Sequence, residues 1–225
     1  MTSVRLFIGG LTRIDEHGQW TGIYKHEVGA PLLLSFDGLA GDFQADRRVH
    51  GGPEKAVHHY AVENYGHLAE RFPAIAAQLV AGSLGENVSA SGFDEHTVHI
   101  GDIFRLDRAL LQVSQPRSPC WKIDHRYACA GLARTITETG LTGWYYRVLE
   151  PATVSNGAPL ELVESPAGAV SLAEFWRGWR EHRPDPASLE RLSAAPGLAA
   201  NWQKKLIDRG RWLRGHGNGS APTRQ

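Results

Sequence analysis

Residues Val98–Ser114 read VHIGDIFRLDRALLQVS, three short apolar runs broken by Gly101-Asp102 and Asp107-Arg108. Runs this short, rich in Val, Ile and Leu and separated by turn residues, predict strands joined by tight turns. The predicted strands are Val98–Ile100, Ile103–Leu106 and Leu110–Ser114. The same pattern extends in both directions, to Leu32–Phe36, Val57–Tyr60 and, past the turn Ser155-Asn156-Gly157, Leu160–Val163. One helix is expected over Ala61–Arg71, where Val62, Tyr65, Leu68 and Phe72 recur near helical spacing and Pro73 stops it. Short strands, few helices and no βαβ alternation predict a mainly β fold, a largely antiparallel barrel.

The pattern changes after Ser165-Pro166-Ala167-Gly168. Ser171 and Glu174 fit a capping box, and Leu172, Phe175, Trp176 and Trp179 form an apolar stripe. A second helix is expected to start at Asp185-Pro186, and a third to run from about Leu198 to Arg209 with Gly210 as its stop. The expected division is residues 1–164 as a β-barrel domain, 168–214 as a small three-helix domain and 215–225 as a disordered tail. Lys204, Lys205, Arg209, Arg211 and Arg214 crowd the third helix. They read either as a solvated face or as a docking surface for an acidic partner or nucleic acid.

Over the 225 residues, 24 basic side chains balance 24 acidic ones. That balance gives no global electrostatic case for nucleic acid or an anionic membrane. MTSVRLFIGGLTRID lacks a signal-peptide core, no stretch is long enough to span a membrane, and two cysteines make no disulfide scaffold. A cytoplasmic protein with neither a membrane nor a stable nucleic-acid complex is expected.

Two clusters carry chemistry. In Gly41–Tyr60, Arg47, Arg48, His50, Lys55 and His58 surround Gly51-Gly52. Glycines let backbone amides approach a ligand, and arginine forks match phosphate oxygens. The cluster reads as an anion site or as an ordinary polar loop, and it lacks the spacing of a P-loop. In Val113–Lys122, two prolines flank Arg117-Ser118, and Cys120 lies between Pro119 and Trp121. Neighbouring cations favour a thiolate, which is both nucleophile and soft metal ligand, although an inert buried cysteine fits the same pattern. Cys120, His125 and Cys129 have the wrong spacing for a structural zinc site.

These two clusters, VHGGPEKAVHHY and VSQPRSPC in that order, resemble the MOSC family, named for the C-terminal domain of molybdenum-cofactor sulfurases. The likeness runs from about Ala30 to Val163 through Gly85–Val88, Gly101–Phe104 and Gly143–Val148, and the three-helix tail is also similar to stand-alone bacterial members. It implies a MOSC-type β-barrel with a positively charged cleft for the molybdenum cofactor, molybdopterin. The family's metal-ligating cysteine falls on Cys120, with the pterin dithiolene supplying two further sulfurs. Arg47, His50, Lys55, Asn87, Arg117 and Ser118 would then contact the cofactor.

The activity so implied is molybdenum-dependent reduction of a small N-hydroxylated substrate such as a hydroxylaminopurine, a detoxification of base analogues. Candidate proton donors, from their place in sequence, are His50, His58 and Asp124. No iron–sulfur, flavin or nicotinamide fingerprint is present, so an external electron-donor reductase is expected. A homodimer is possible through Trp144, Tyr145 and Tyr146, read as exposed. Three alternatives stand beside it: a cofactor or sulfur carrier using the same residues, a zinc or iron hydrolase using the histidines, and a non-catalytic module whose arginine cluster grips a phosphorylated ligand.

Overall fold

Asp107, at φ 51°, reverses the chain between two strands that together form the centre of the main sheet. Asp tolerates this left-handed region better than most side chains do. The computed structural model describes residues 2–14, 18–45 and 51–216. Its strands, in chain order, are β1 (Thr2–Ser3), β2 (Arg5–Ile8), β3 (Thr12–Arg13), β4 (Trp20–Thr21), β5 (His26–Glu27), β6 (Leu32–Ser35) and β7 (Gly38–Leu39). There follow β8 (Val57–Ala61), β9 (Val88–Ala90), β10 (Ile103–Leu106), β11 (Ala109–Pro116), β12 (Trp144–Glu150), β13 (Ala152–Val154) and β14 (Pro159–Glu164). The helices are α1 (Val62–Arg71), α2 (Lys122–Tyr127), α3 (Leu132–Thr139), α4 (Leu172–Arg180), α5 (Pro186–Ser193) and α6 (Ala200–His216).

Nine strands form one sheet in the order β1-β14-β10-β11-β12-β8-β9-β2-β5. Among the described residues its two edges, β1 and β5, do not pair, so the expected barrel is replaced by an open sheet. The sheet is also mixed. β8 and β9 run parallel, with His59 opposite Val88, and α1 lies in the crossover between them. A parallel pair needs such a long connection, whereas a hairpin serves an antiparallel one. That single βαβ unit escaped the sequence reading because β9 is three residues long. Val98–Ile100 is not a strand either; His99 makes only an isolated bridge to Ser171.

Phe104, Leu106, Leu111 and Val113 alternate into the core, as period-2 patterning requires. The same apolar cluster continues into Phe175, Trp176, Leu189, Trp202 and Leu206 of the C-terminal helices. Trp202 lies 5.0 Å from Trp179 and 6.5 Å from Trp176, ring centre to ring centre, which joins α6 to α4. The apolar core therefore does not divide where the sequence suggested a domain boundary. Ser171 caps α4 by accepting from Glu174 N–H, and Asp185 caps α5 by accepting from Ser188 N–H. Gly210 does not stop α6. It is buried against α5, where even an added Cβ would meet Leu189 Cβ at an ordinary 3.9 Å, and the helix runs on to His216. Residues 217–225, the bulk of the expected tail, lie outside the described residues.

The basic residues of α6 are spent on internal partners. Lys204 and Arg211 both meet Asp208, and Arg214 meets Glu190. Arg209 donates to the carbonyls of Trp179 and Glu181, closing the C-terminal end of α4, with its guanidinium 5.1 Å from the Trp179 ring centre.

Candidate functional site

One cavity brings together Cys120, Arg117, Lys55, His58 and Asn87, residues drawn from both sequence clusters and from the Gly85-Glu86-Asn87 turn. It encloses about 600 Å³, its open mouth included. His58 and Tyr145 face each other across the β8–β12 pair, ring centres 5.3 Å apart, and Arg117 follows directly on β11. Arg117 N–H donates to Gly143 C=O at 3.0 Å, which fixes where the Cys120 loop leaves the sheet.

Arg117 is 6% exposed. Its Nη2 donates to Leu84 C=O at 3.4 Å, while buried Nη1 has no partner among the described residues. His58 Nε2 is likewise buried and unpartnered. Burial holds the His58 pKa well below the usual histidine range, and Arg117 adds to the effect, so the imidazole is neutral near pH 7. An unmet guanidinium nitrogen in a cavity wall marks a place for an acceptor, because buried donors are nearly always satisfied.

The sequence reading missed Lys25. It lines the cavity, and its ammonium pairs with Asp42, the two side chains being 5% and 2% exposed. Burial lowers the Lys25 pKa and the Asp42 charge opposes that shift. The signal was weak, since a single lysine after Ile23-Tyr24 belongs to no motif. The wall that carries Lys25 is strapped to α2 by Lys122, donating to Trp20 C=O at 2.6 Å, and by Arg126, donating to Ile23 C=O. Gly85, at φ +83°, permits that wall to approach, because a Cβ there would lie 2.9 Å from Ile23 Cγ1.

Asn87 lines the cavity, but its amide is already engaged. Oδ1 accepts from His58 N–H at 3.0 Å and Nδ2 donates to Phe7 C=O at 3.2 Å, tying β8 and β2 at the turn into β9. Glu86 beside it is fully buried and accepts from Tyr65 OH, Gly82 N–H, Leu84 N–H and Ser89 OH. The turn thus holds itself together, and Asn87 both fastens it and lines the cavity.

Other expected site residues fall elsewhere. Ser118 is exposed and outside the cavity lining. Asp124 accepts from Gly131 and Ala133 N–H at 3.0 and 2.7 Å, capping α3, and does not line the cavity. Arg47 and His50 lie outside the described residues. Trp144, Tyr145 and Tyr146 are buried, which removes them as a dimer contact. Cys129 packs against the second apolar cluster, around Tyr127 and Leu132, away from Cys120's cavity. Among the described residues no three His, Cys, Asp or Glu side chains are grouped to hold a metal ion. No helix among them is long and apolar enough to cross a membrane.

Cys120, buried Arg117 and the buried side chain of Lys25 thus meet in one cavity beside the main sheet. The MOSC domain model matches residues 46–161, and the chain belongs to the MOSC family. It is 41% identical to Protein YiiM of Escherichia coli over 92% of this chain and 91% of that one. The crystal structure of YiiM from Escherichia coli superposes with a TM-score of 0.79 at 34% identity, covering 94% of this chain and 92% of that chain. A Gibberella moniliformis protein named Reductase is 35% identical over 65% of this chain, which spans 26% of that longer protein.

Proposed function

We propose that the chain is a molybdenum-cofactor-dependent reductase of N-hydroxylated compounds in which Cys120 is the protein ligand to the metal. The observation that carries this reading is the cavity shared by Cys120 and Arg117, a thiol beside a buried guanidinium with an unmet nitrogen. The donor set fits a metal that arrives with its own ligands, since among the described residues Cys120 is the single thiol or thioether lining the cavity. It fits the pterin's phosphate as well, for Arg117, Lys25 and Lys55 line the same space. Membership of the MOSC family and likeness to a protein named Reductase support the oxidoreductase class.

When bound, the cofactor supplies the two-electron chemistry that cleaves the N–O bond and releases the amine. The chain's own residues bind and orient. Cys120 gives a thiolate sulfur, while Arg117, Lys25 and Lys55 offset negative charge. His58 enters as a neutral imidazole, able to hold a proton at Nε2. Arg47 and His50 join the proposal on resemblance alone. Electrons come from a separate reductase, and the expected setting is the cytoplasm.

The test is molybdenum and pterin analysis of wild type and Cys120→Ala purified from a host that makes molybdenum cofactor, together with 6-hydroxylaminopurine reduction under a chemical reductant. Wild type should carry both components and turn over, and the variant should lose turnover. Wild type without molybdenum, or a fully active variant, contradicts the reading. Cofactor held through Cys120 without steady-state reduction would make the chain a carrier.

A further inference from the structure

Glu95 is a buried carboxylate, 2% exposed, on the connection between β9 and β10. It belongs to neither sequence cluster and does not line the Cys120 cavity. Its Oε1 accepts from Gly143 N–H at 2.7 Å and from Asn64 Nδ2 at 3.0 Å, and its Oε2 accepts from the same Nδ2 at 3.2 Å. Every one of these neighbours donates, which suits an ionised carboxylate. Burial raises the Glu95 pKa, and the bonds from Gly143 and Asn64 oppose the rise. An apolar side chain would fill such a place without the desolvation penalty. What the carboxylate adds is directed bonding, since charge-assisted hydrogen bonds are roughly twice as strong as neutral ones.

Gly143 carries that restraint to the cavity. Its C=O accepts from Arg117 N–H at 3.0 Å and from the Thr142 hydroxyl at 2.9 Å. Its φ is +68°, and a Cβ there would lie 2.4 Å from the His59 carbonyl oxygen and 3.1 Å from His58 Nε2. The Gly143 backbone is therefore packed directly on β8, beside the His58 ring. One residue thus joins Glu95 to the main chain of Arg117 and to the side chain of His58. Those two cavity-lining residues hold buried nitrogens, Arg117 Nη1 and His58 Nε2, with no partner among the described residues. Groups that meet a ligand are precise only when the residues behind them are fixed as well.

We propose that Glu95 is a positioning residue of the cavity's anion site, holding Arg117 and His58 through Gly143 where their unmet nitrogens receive an anionic ligand. That this anion is the pterin phosphate rests on the reductase reading. The positioning itself does not.

The experiment compares wild type with Glu95→Gln, Glu95→Met, the double variant Asn64→Leu, Glu95→Met, and Leu189→Ala, a destabilised control in the buried face of α5. Gln keeps an oxygen for Gly143 N–H, whereas Met fills the volume without one. The double variant also removes the Asn64 donor that Met would strand, and it keeps the test open should the single variant not fold. Circular dichroism establishes which proteins are folded. Inorganic phosphate is titrated into the purified chain, and the His58 ring and the Arg117 amide are followed by heteronuclear NMR. Wild type, Glu95→Gln and Leu189→Ala should bind phosphate alike and share the same His58 and Arg117 signals. Glu95→Met and the double variant should bind it about tenfold more weakly, the scale on which partners behind a binding group act. Both signals should move in those two proteins, and the loaded forms should carry less pterin.

Wild-type affinity with unmoved signals in Glu95→Met or the double variant overturns the proposal. So does an equal loss of affinity in Leu189→Ala, which would trace the effect to stability alone, and so does a wild type that binds no phosphate. Should the chain carry no molybdenum, the phosphate comparison on apo protein still decides the positioning claim.

Discussion

Lys25 and Asp42 form an ion pair in the wall of the Cys120 cavity with almost no exposure of either side chain. Asp42 also accepts from Gly9 N–H at 2.9 Å, so one carboxylate links the lysine to the chain just after β2. Taking two charges out of water is expensive, and a well-packed apolar pair is often as stable. The pair is therefore better explained by the cavity it faces than by stability. Asp42→Asn leaves a buried ammonium without its counter-charge and should destabilise the fold by about 3–5 kcal/mol. Denaturant unfolding measures this, and the double variant Lys25→Met, Asp42→Leu should recover most of the loss. A single variant as stable as wild type would contradict the buried pair.

Arg117→Met keeps much of the side-chain volume while removing the unmet guanidinium. Apo protein should lose most of its thermal stabilisation by inorganic phosphate, and the loaded form should lose pterin content. A site affinity reduced about tenfold corresponds to about 1.4 kcal/mol. A phosphate-induced shift in Tm equal to that of wild type would show that Arg117 does not bind the anion.

His59 gives the fold a defined acid sensitivity. Burial brings its pKa from 6.5 down to about 3, and its Nδ1 is bonded to the Tyr146 hydroxyl at 2.9 Å. The unfolded chain thus takes up this proton first as pH falls. Stability is complete above about pH 6.5 and is lost progressively toward pH 3. His58, also lowered, acts in the same direction. Within that window His59 contributes about 1.4 kcal/mol per pH unit. His59→Phe should flatten the fall in unfolding free energy between about pH 5.5 and pH 4 by roughly that slope. Parallel curves for the two proteins would refute it.

Much of the sheet was legible because its central strands alternate and its turns are marked. Ile103–Leu106 is a strand as read, and Leu110–Ser114 lies within the longer Ala109–Pro116. The C-terminal helices were legible from Ser171, Asp185-Pro186 and the tryptophan stripe. Sheet closure was not legible, since it depends on which edges meet, and neither was the parallel β8–β9 pair, whose second strand is too short to show a period. At the site, motif order brought Lys55, Asn87, Arg117 and Cys120 to one cavity. Adjacency in sequence misplaced Asp124 and Ser118, because a side chain's direction on a short helix or loop does not follow from its neighbours' chemistry. Lys25 was invisible for a related reason, as its importance comes from burial beside a partner 17 positions away.

The central claim is ligation of molybdenum by Cys120. X-ray absorption at the molybdenum edge, on protein loaded in a cofactor-competent host, counts the sulfur atoms around the metal. Three sulfurs in wild type and two in Cys120→Ala, with the dithiolene supplying the remaining pair, is the predicted result. The same sulfur count in both proteins would contradict it.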